Sequence, residues 1–116
     1  MKKLTIAIDF DDTLHINGEP IKERCEIVRK LIEYGHNIYI LTASLQPTLN
    51  EVEGDYFITG AYISLHNRIY TWLNDNIMWN EWLITPIKQH ITDYYVDANC
   101  MSWTKIEDIL NGGEVK

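Results

Sequence analysis

Apolar residues arrive along this chain in two rhythms. Leu4 to Asp9, Asn37 to Thr42, Trp82 to Ile84 and Asp93 to Asp97 are short runs rich in β-branched, aliphatic or aromatic residues, with few polar interruptions. Runs of that length and continuity predict strands, and the first has the look of one covered on both faces. Between them the spacing changes to threes and fours. Ile21, Cys25, Val28 and Ile32 form one stripe, and Leu65, Ile69, Trp72, Leu73 and Ile77 form another. Both stripes predict amphipathic helices. Trp103, Ile106 and Leu110 mark a third helix, with a capping-box pattern at Thr104 and Glu107.

Turn residues divide these segments. His15 to Pro20 reads as a loop, with Pro20 placed at the first turn of the next helix. Gly35 stops that helix from the position after its C-cap, Asn74-Asp75-Asn76 ends the second, and Gly112-Gly113 ends the third. Pro86 limits the third strand. Leu45 to Gly60 carries Pro47, Glu51, Glu53, Asp55, Tyr56 and Phe57. It reads as an irregular loop with a short helix near Thr48 to Glu53, serving either as a partial lid or as a solvated acidic loop.

The order strand, helix, strand over residues 4 to 42 implies parallel strands joined by a right-handed crossover. The expected fold class is therefore α/β, with a mainly parallel sheet of about four strands in a single domain, 1–116. Asp9 and Thr42 then stand at the carboxyl end of the sheet, where open α/β sheets place their ligands.

Composition narrows the setting. At 116 residues and 46% hydrophobic, the chain has material for a real core. Its first apolar run breaks at Asp9, too early for a signal peptide, and no run is long enough to span a membrane. Cys25 and Cys100 belong to no motif and read as reduced thiols. The expected location is cytoplasmic, without a membrane partner. A net charge of −7 argues against long-range attraction to nucleic acid, although a metal ion held locally reverses that sign at one site.

The chemistry concentrates where the first strand ends. Asp9, Asp11 and Asp12 put three carboxylates within four residues. Like charges this close raise one another's pKa unless solvent, a proton or a cation relieves them. The parallel sheet adds Thr42 after the second strand, Asp97 after the fourth and Lys88 on the approach to the fourth. Oxygen ligands from Asp9 and Asp97 suit Mg²⁺, which keeps waters and substrate phosphate in its shell. Thr42 and Lys88 would serve an anion beside it. One aspartate can attack phosphorus, and a second can protonate the leaving oxygen and then activate water. His15, His36, His66 and His90 lack metal-ligand spacing, though His15 lies close enough to the acids to touch a substrate.

On these residues the chain resembles a small member of the haloacid dehalogenase (HAD) superfamily. Asp9-Phe10-Asp11-Asp12-Thr13-Leu14 is similar to its DxDxT first motif, Thr42 to its second, Lys88 to its third and Asp97 to its fourth. The resemblance covers residues 4 to about 99. It implies a Rossmann-like three-layer sandwich and a Mg²⁺-dependent phosphohydrolase working through an aspartyl-phosphate. By position, Asp9 is nucleophile and metal ligand, and Asp11 is general acid and base whose backbone carbonyl also meets the metal. Thr13 supports the loop on the substrate-binding side, Thr42 and Lys88 hold the phosphoryl group, and Asp97 is a metal ligand.

The chain departs from the family pattern in two places. Asp97 is followed by Ala98 and Asn99 where the family usually offers a second acid, leaving Asn99 or Ser102 to hold a metal-bound water. The alternative is accordingly a weak or inactive relative that binds phosphate or a partner. Neither usual insertion point has room for a cap domain, so the site is expected to be open, with a phosphorylated small molecule or macromolecule as partner. A receiver-like signalling domain would need an acid at the end of the third strand, and Ile84-Thr85 supplies none.

Overall fold

Hydrophobic continuity decides the architecture. The computed structural model describes residues 3–97 and 102–110. The first apolar run becomes β1 (Thr5–Ile8), in which Ile6, Ala7 and Ile8 are fully buried. The acids after it turn the chain into a small hairpin, β2 (His15–Ile16) and β3 (Glu19–Pro20). Helix α1 (Lys22–Glu33) comes next and buries Cys25, Val28 and Leu31. Gly35, at φ +89°, ends it in the left-handed conformation expected from the sequence. Strand β4 (Asn37–Leu41) then returns parallel to β1, with Ile8 level with Ile40.

A 3-10 segment, Ala43–Thr48, leads from β4 into a second hairpin, β5 (Leu49–Val52) and β6 (Asp55–Ile58). Helix α2 (Gly60–Ile77) begins where the Thr59 hydroxyl accepts the Tyr62 N–H, and it ends at Met78 in the left-handed region. The chain adds β7 (Ile84–Thr85), β8 (Tyr94–Val96) and α3 (Ser102–Leu110). The strands β7, β4, β1 and β8 lie in that order, and all are parallel. The fold is thus α/β, with a four-stranded parallel sheet and the acid-bearing β1 as an inner strand.

Alternation along β4 shows how the two faces are covered. Ile38 and Ile40 join the core beneath the helices, together with Ile69, Leu73 and Ile77 of α2 and Ile106 of α3. Tyr39 points to the other face and is 3% exposed. Its cover is the non-helical segment 86–93, where the Gln89 N–H donates to the Tyr39 hydroxyl and Thr92 also bonds that hydroxyl. The segment connects β7, at one edge of the sheet, to β8 at the other.

Five sequence expectations change, the first being the third strand, where β7 takes only Ile84 of the expected run Trp82 to Ile84 and adds Thr85. Pro20 closes a hairpin strand and does not open α1, which starts at Lys22. Leu45 to Gly60 holds a 3-10 segment and a regular hairpin in place of an irregular loop with a helix at 48–53. Asn74-Asp75-Asn76 lies inside α2, which runs on to Ile77. Helix α3 starts at Ser102, so Thr104 sits within it and is not its cap. Ala98, Asn99, Cys100 and Gly112-Gly113 lie outside the described residues. No helix among the described residues is long and apolar enough to cross a membrane.

Candidate active site

Parallel register brings the singled-out residues to one end of the sheet. Ile8 pairs with Ile40 on one side and Val96 on the other, so Asp9 is level with Leu41 and Asp97, and Thr42 lies one residue beyond. The Asp9 N–H donates to the Val96 carbonyl at 2.9 Å, which fixes the first acid against the end of β8. Immediately after it the chain folds back. The N–H groups of Thr13 and Leu14 both donate to the Phe10 carbonyl, at 3.3 and 3.0 Å. Asp12 makes this turn at φ +59°, a left-handed conformation that Asp tolerates better than most residues. Its side chain is exposed, as suits a turn residue.

The turn sorts the three acids by environment. Asp9 is half-buried, and its Oδ2 accepts the hydroxyl of fully buried Thr13 at 3.2 Å. Burial pushes the Asp9 carboxyl above its ordinary value, while the Phe10 N–H and Thr13 hydroxyl pull it partly back. The charges of Asp11 and Asp97 push it further up. Asp11 is exposed and accepts at Oδ1 from His15 Nε2 at 2.9 Å. Phe10, between the two acids, turns into the core and is 6% exposed.

The neighbouring strands supply the remaining groups. Thr42 is buried at the end of β4, with its hydroxyl 2.8 Å from Ser44 Oγ and its N–H donating to the Thr85 carbonyl at 3.0 Å. Asp97 is half-buried just past β8. Lys88 is in a different situation. It is exposed, three residues beyond β7, and makes no ion pair with any described residue. Since β7 and β1 are two strand spacings apart, about 10 Å, a lysine and a bound phosphoryl group would have to bridge that span together.

The donor set fits a hard cation in one specific sense. A half-buried carboxylate whose ionised form is disfavoured by burial and by two neighbouring acids is stabilised by any positive charge placed among them. Among the described residues, no three His, Cys, Asp or Glu side chains form a metal centre by themselves. A cation would therefore take the Asp9 and Asp97 carboxylates and complete its shell from backbone and water oxygens, as Mg²⁺ does.

Two supporting residues escape a reading of the motifs. The Arg24 guanidinium donates to the Thr13 carbonyl at 3.0 Å and lies 5.2 Å from the centre of the Trp103 ring, tying the acidic turn to α1 and α3. Trp72, placed in the sequence only as a core residue, contacts both Phe10 and His15. Neither position carries a local signature, because both contacts depend on helices folded against the turn. Cys25 is buried beneath it, and burial raises its thiol to about 11, leaving it inert. Comparison with models of protein families, with curated proteins and with solved structures finds no match.

Proposed function

We propose that the protein is a Mg²⁺-dependent phosphohydrolase of the HAD type, acting on phosphoric monoesters through an aspartyl-phosphate formed on Asp9. One observation carries the reading. Asp9 stands at the carboxyl end of an inner parallel strand, and the two strands paired with it are followed directly by Thr42 and Asp97.

The steps come from the residues. The Asp9 carboxylate attacks phosphorus, and the ester oxygen departs as Asp11 gives it a proton. Partial burial strips water from the Asp9 oxygens and leaves them better able to attack. The Thr13 hydroxyl holds Oδ2 and so fixes the direction of the other oxygen. Asp11, now ionised, takes a proton from water as that water attacks the aspartyl-phosphate. Phosphate leaves and Asp9 is restored. Thr42 and Lys88 hold the non-bridging phosphoryl oxygens throughout. Mg²⁺ between Asp9, Asp97 and the Asp11 backbone carbonyl would supply positive charge against the acids and the transferring group.

The test is phosphate release from an aryl phosphate by purified protein with and without Mg²⁺. Release that needs the metal and disappears in Asp9→Asn is expected. Release that survives Asp9→Asn contradicts the reading. Saturable phosphate binding with no turnover of any ester would favour the alternative of a binding protein.

A further inference from the structure

Asp11 has the most demanding role in that scheme and the least protection from solvent. Its side chain is 52% exposed, so packing does not select its rotamer. Among the described residues one side-chain contact does, the bond from His15 Nε2 to Oδ1 at 2.9 Å. The imidazole itself is well fixed. Its Nδ1 accepts the Gly18 N–H at 3.0 Å, so the ring proton is on Nε2 and directed at Asp11. Phe10 lies 4.4 Å and Trp72 5.6 Å from the ring centre, and the His15 side chain is only 15% exposed.

The turn that supplies Gly18 is pinned as well. Asn17 at φ +52° and Gly18 at φ +85° form the left-handed pair that a two-residue hairpin needs. The Trp72 Nε1–H donates to the Gly18 carbonyl at 2.9 Å, so both polar backbone atoms of Gly18 are engaged. The chain of contacts runs from α2 through the hairpin turn and the imidazole to one oxygen of Asp11. Among the described residues the other oxygen, Oδ2, remains open for proton transfer.

We propose that His15 is a positioning residue for Asp11: clamped between Phe10 and Trp72 and fixed as the Nε2–H tautomer by Gly18, it holds the general acid in one rotamer. The inference rests on the phosphohydrolase reading. His15 does not itself exchange a proton with substrate; it donates a fixed hydrogen bond that leaves Oδ2 to meet the leaving oxygen.

Two substitutions separate positioning from packing. In His15→Asn the amide can replace Nδ1 toward Gly18 but is too short to reach Asp11. In His15→Gln the amide N–H extends to the place of Nε2. Both lose the ring, so a purely structural role affects them alike. The readout is the ratio of kcat/KM for an alkyl phosphate, whose leaving oxygen needs a proton, to that for a nitrophenyl phosphate, whose leaving oxygen does not.

A fall in that ratio of roughly 30-fold in His15→Asn, but less than about 3-fold in His15→Gln, is expected from partial loss of general acid catalysis. Trp72→Phe keeps an aromatic ring and removes the bond to Gly18, and it should lower the ratio in the same direction by a smaller factor. Equal ratios in the Asn and Gln variants overturn the role of His15. If neither folds, an unchanged ratio in Trp72→Phe overturns it. Wild-type protein inert on both esters overturns the phosphohydrolase reading, and this inference with it.

Discussion

The two ends of the parallel sheet use polar groups differently. At the amino end they mostly complete the backbone, with a side-chain pair as well, the Asn37 amide donating to the Thr5 hydroxyl at 3.5 Å. The Leu4 N–H donates to His36 Nδ1 at 3.1 Å, and the Asn37 N–H donates to the Leu4 carbonyl at 2.8 Å. The Asp93 carboxylate accepts the Thr5 N–H at 2.8 Å, while the Asp93 N–H donates back to the Thr5 carbonyl at 2.8 Å. At the carboxyl end the side chains engage one another: Thr13 with Asp9, His15 with Asp11, Thr42 with Ser44. Each end holds a titratable group that burial drives toward its neutral form. His36 is pushed down and Asp9 up.

At His36 that shift accompanies a structural return, a backbone N–H satisfied where β1 begins. At Asp9 the neighbouring Asp11 and Asp97 add to the cost, and no described side chain forms an ion pair with Asp9. On the proposed reading, this uncompensated acid at a strand end is where a cation and a phosphoryl group would bind.

The largest expected effect comes from removing the costly group. Asp9→Asn should lower aryl phosphate release by at least ~10³-fold, since loss of a nucleophile removes the covalent route. The same change should stabilise the metal-free fold. Because the folded-state pKa of Asp9 lies above its unfolded value, the native state holds a proton that the unfolded chain has released in the window between the two. Wild-type stability then falls as pH rises through that window, and Asp9→Asn should not show that fall in chemical denaturation across pH 3 to 7, a range chosen around the ordinary carboxylate value of about 4.

Thr13→Val deletes the donor to Asp9 Oδ2 without changing the buried shape much. We expect turnover to fall by about 10-fold and stability by about 1.5–3 kcal/mol, the usual scale for a hydrogen bond to a charged acceptor. A paired test then contrasts the two ends directly. Gly18 and Gly35 both have positive φ, and an added Cβ at either meets nothing within 4 Å. Gly18→Ala and Gly35→Ala should each cost about 1 kcal/mol in urea denaturation, from backbone strain alone. Only Gly18→Ala should also lower turnover, because its turn carries His15.

The smallest effect is a slope. The folded-state pKa of His36 lies below its unfolded value, so the unfolded chain binds the extra proton and stability declines as pH falls through the ordinary histidine value. His36→Asn keeps an acceptor for the Leu4 N–H and should flatten that decline while leaving turnover unchanged.

The sheet and the acid-bearing strand are legible in the sequence because continuous apolar runs have few alternatives in a chain this short. Leu4 to Asp9 and Asn37 to Thr42 become β1 and β4, trimmed by no more than one residue at either end. Both hairpins escape the apolar pattern because their strands bury little. Ile16, Val52, Phe57 and Ile58 are all exposed, so no rhythm marks them. The signals lie in the turns, Asn17-Gly18 and Glu53-Gly54, each a residue and a glycine at positive φ. Pro20 misleads because a proline before a helical stripe fits a first turn as well as it fits a short strand.

Within the site, Asp9, Asp11 and Thr13 are readable from local spacing, since one tight turn gathers them. The placing of Thr42 and Asp97 on either side of Asp9 depends on strand order, a product of long-range pairing that no local pattern encodes. Lys88 lies three residues beyond β7, next to Gln89, whose N–H donates to the Tyr39 hydroxyl, a long-range contact that motif order does not encode.

The most direct test of the central claim is to look for the covalent intermediate. Asp11→Asn lacks the base that discharges it, while a nitrophenyl phosphate needs no acid to form it. Acid quenching of that reaction with Mg²⁺, followed by peptide mass mapping, should find one phosphoryl group on Asp9. A wild-type enzyme that turns over while the Asp11→Asn protein carries no phosphoryl group on Asp9, or carries it on another residue, would contradict the account.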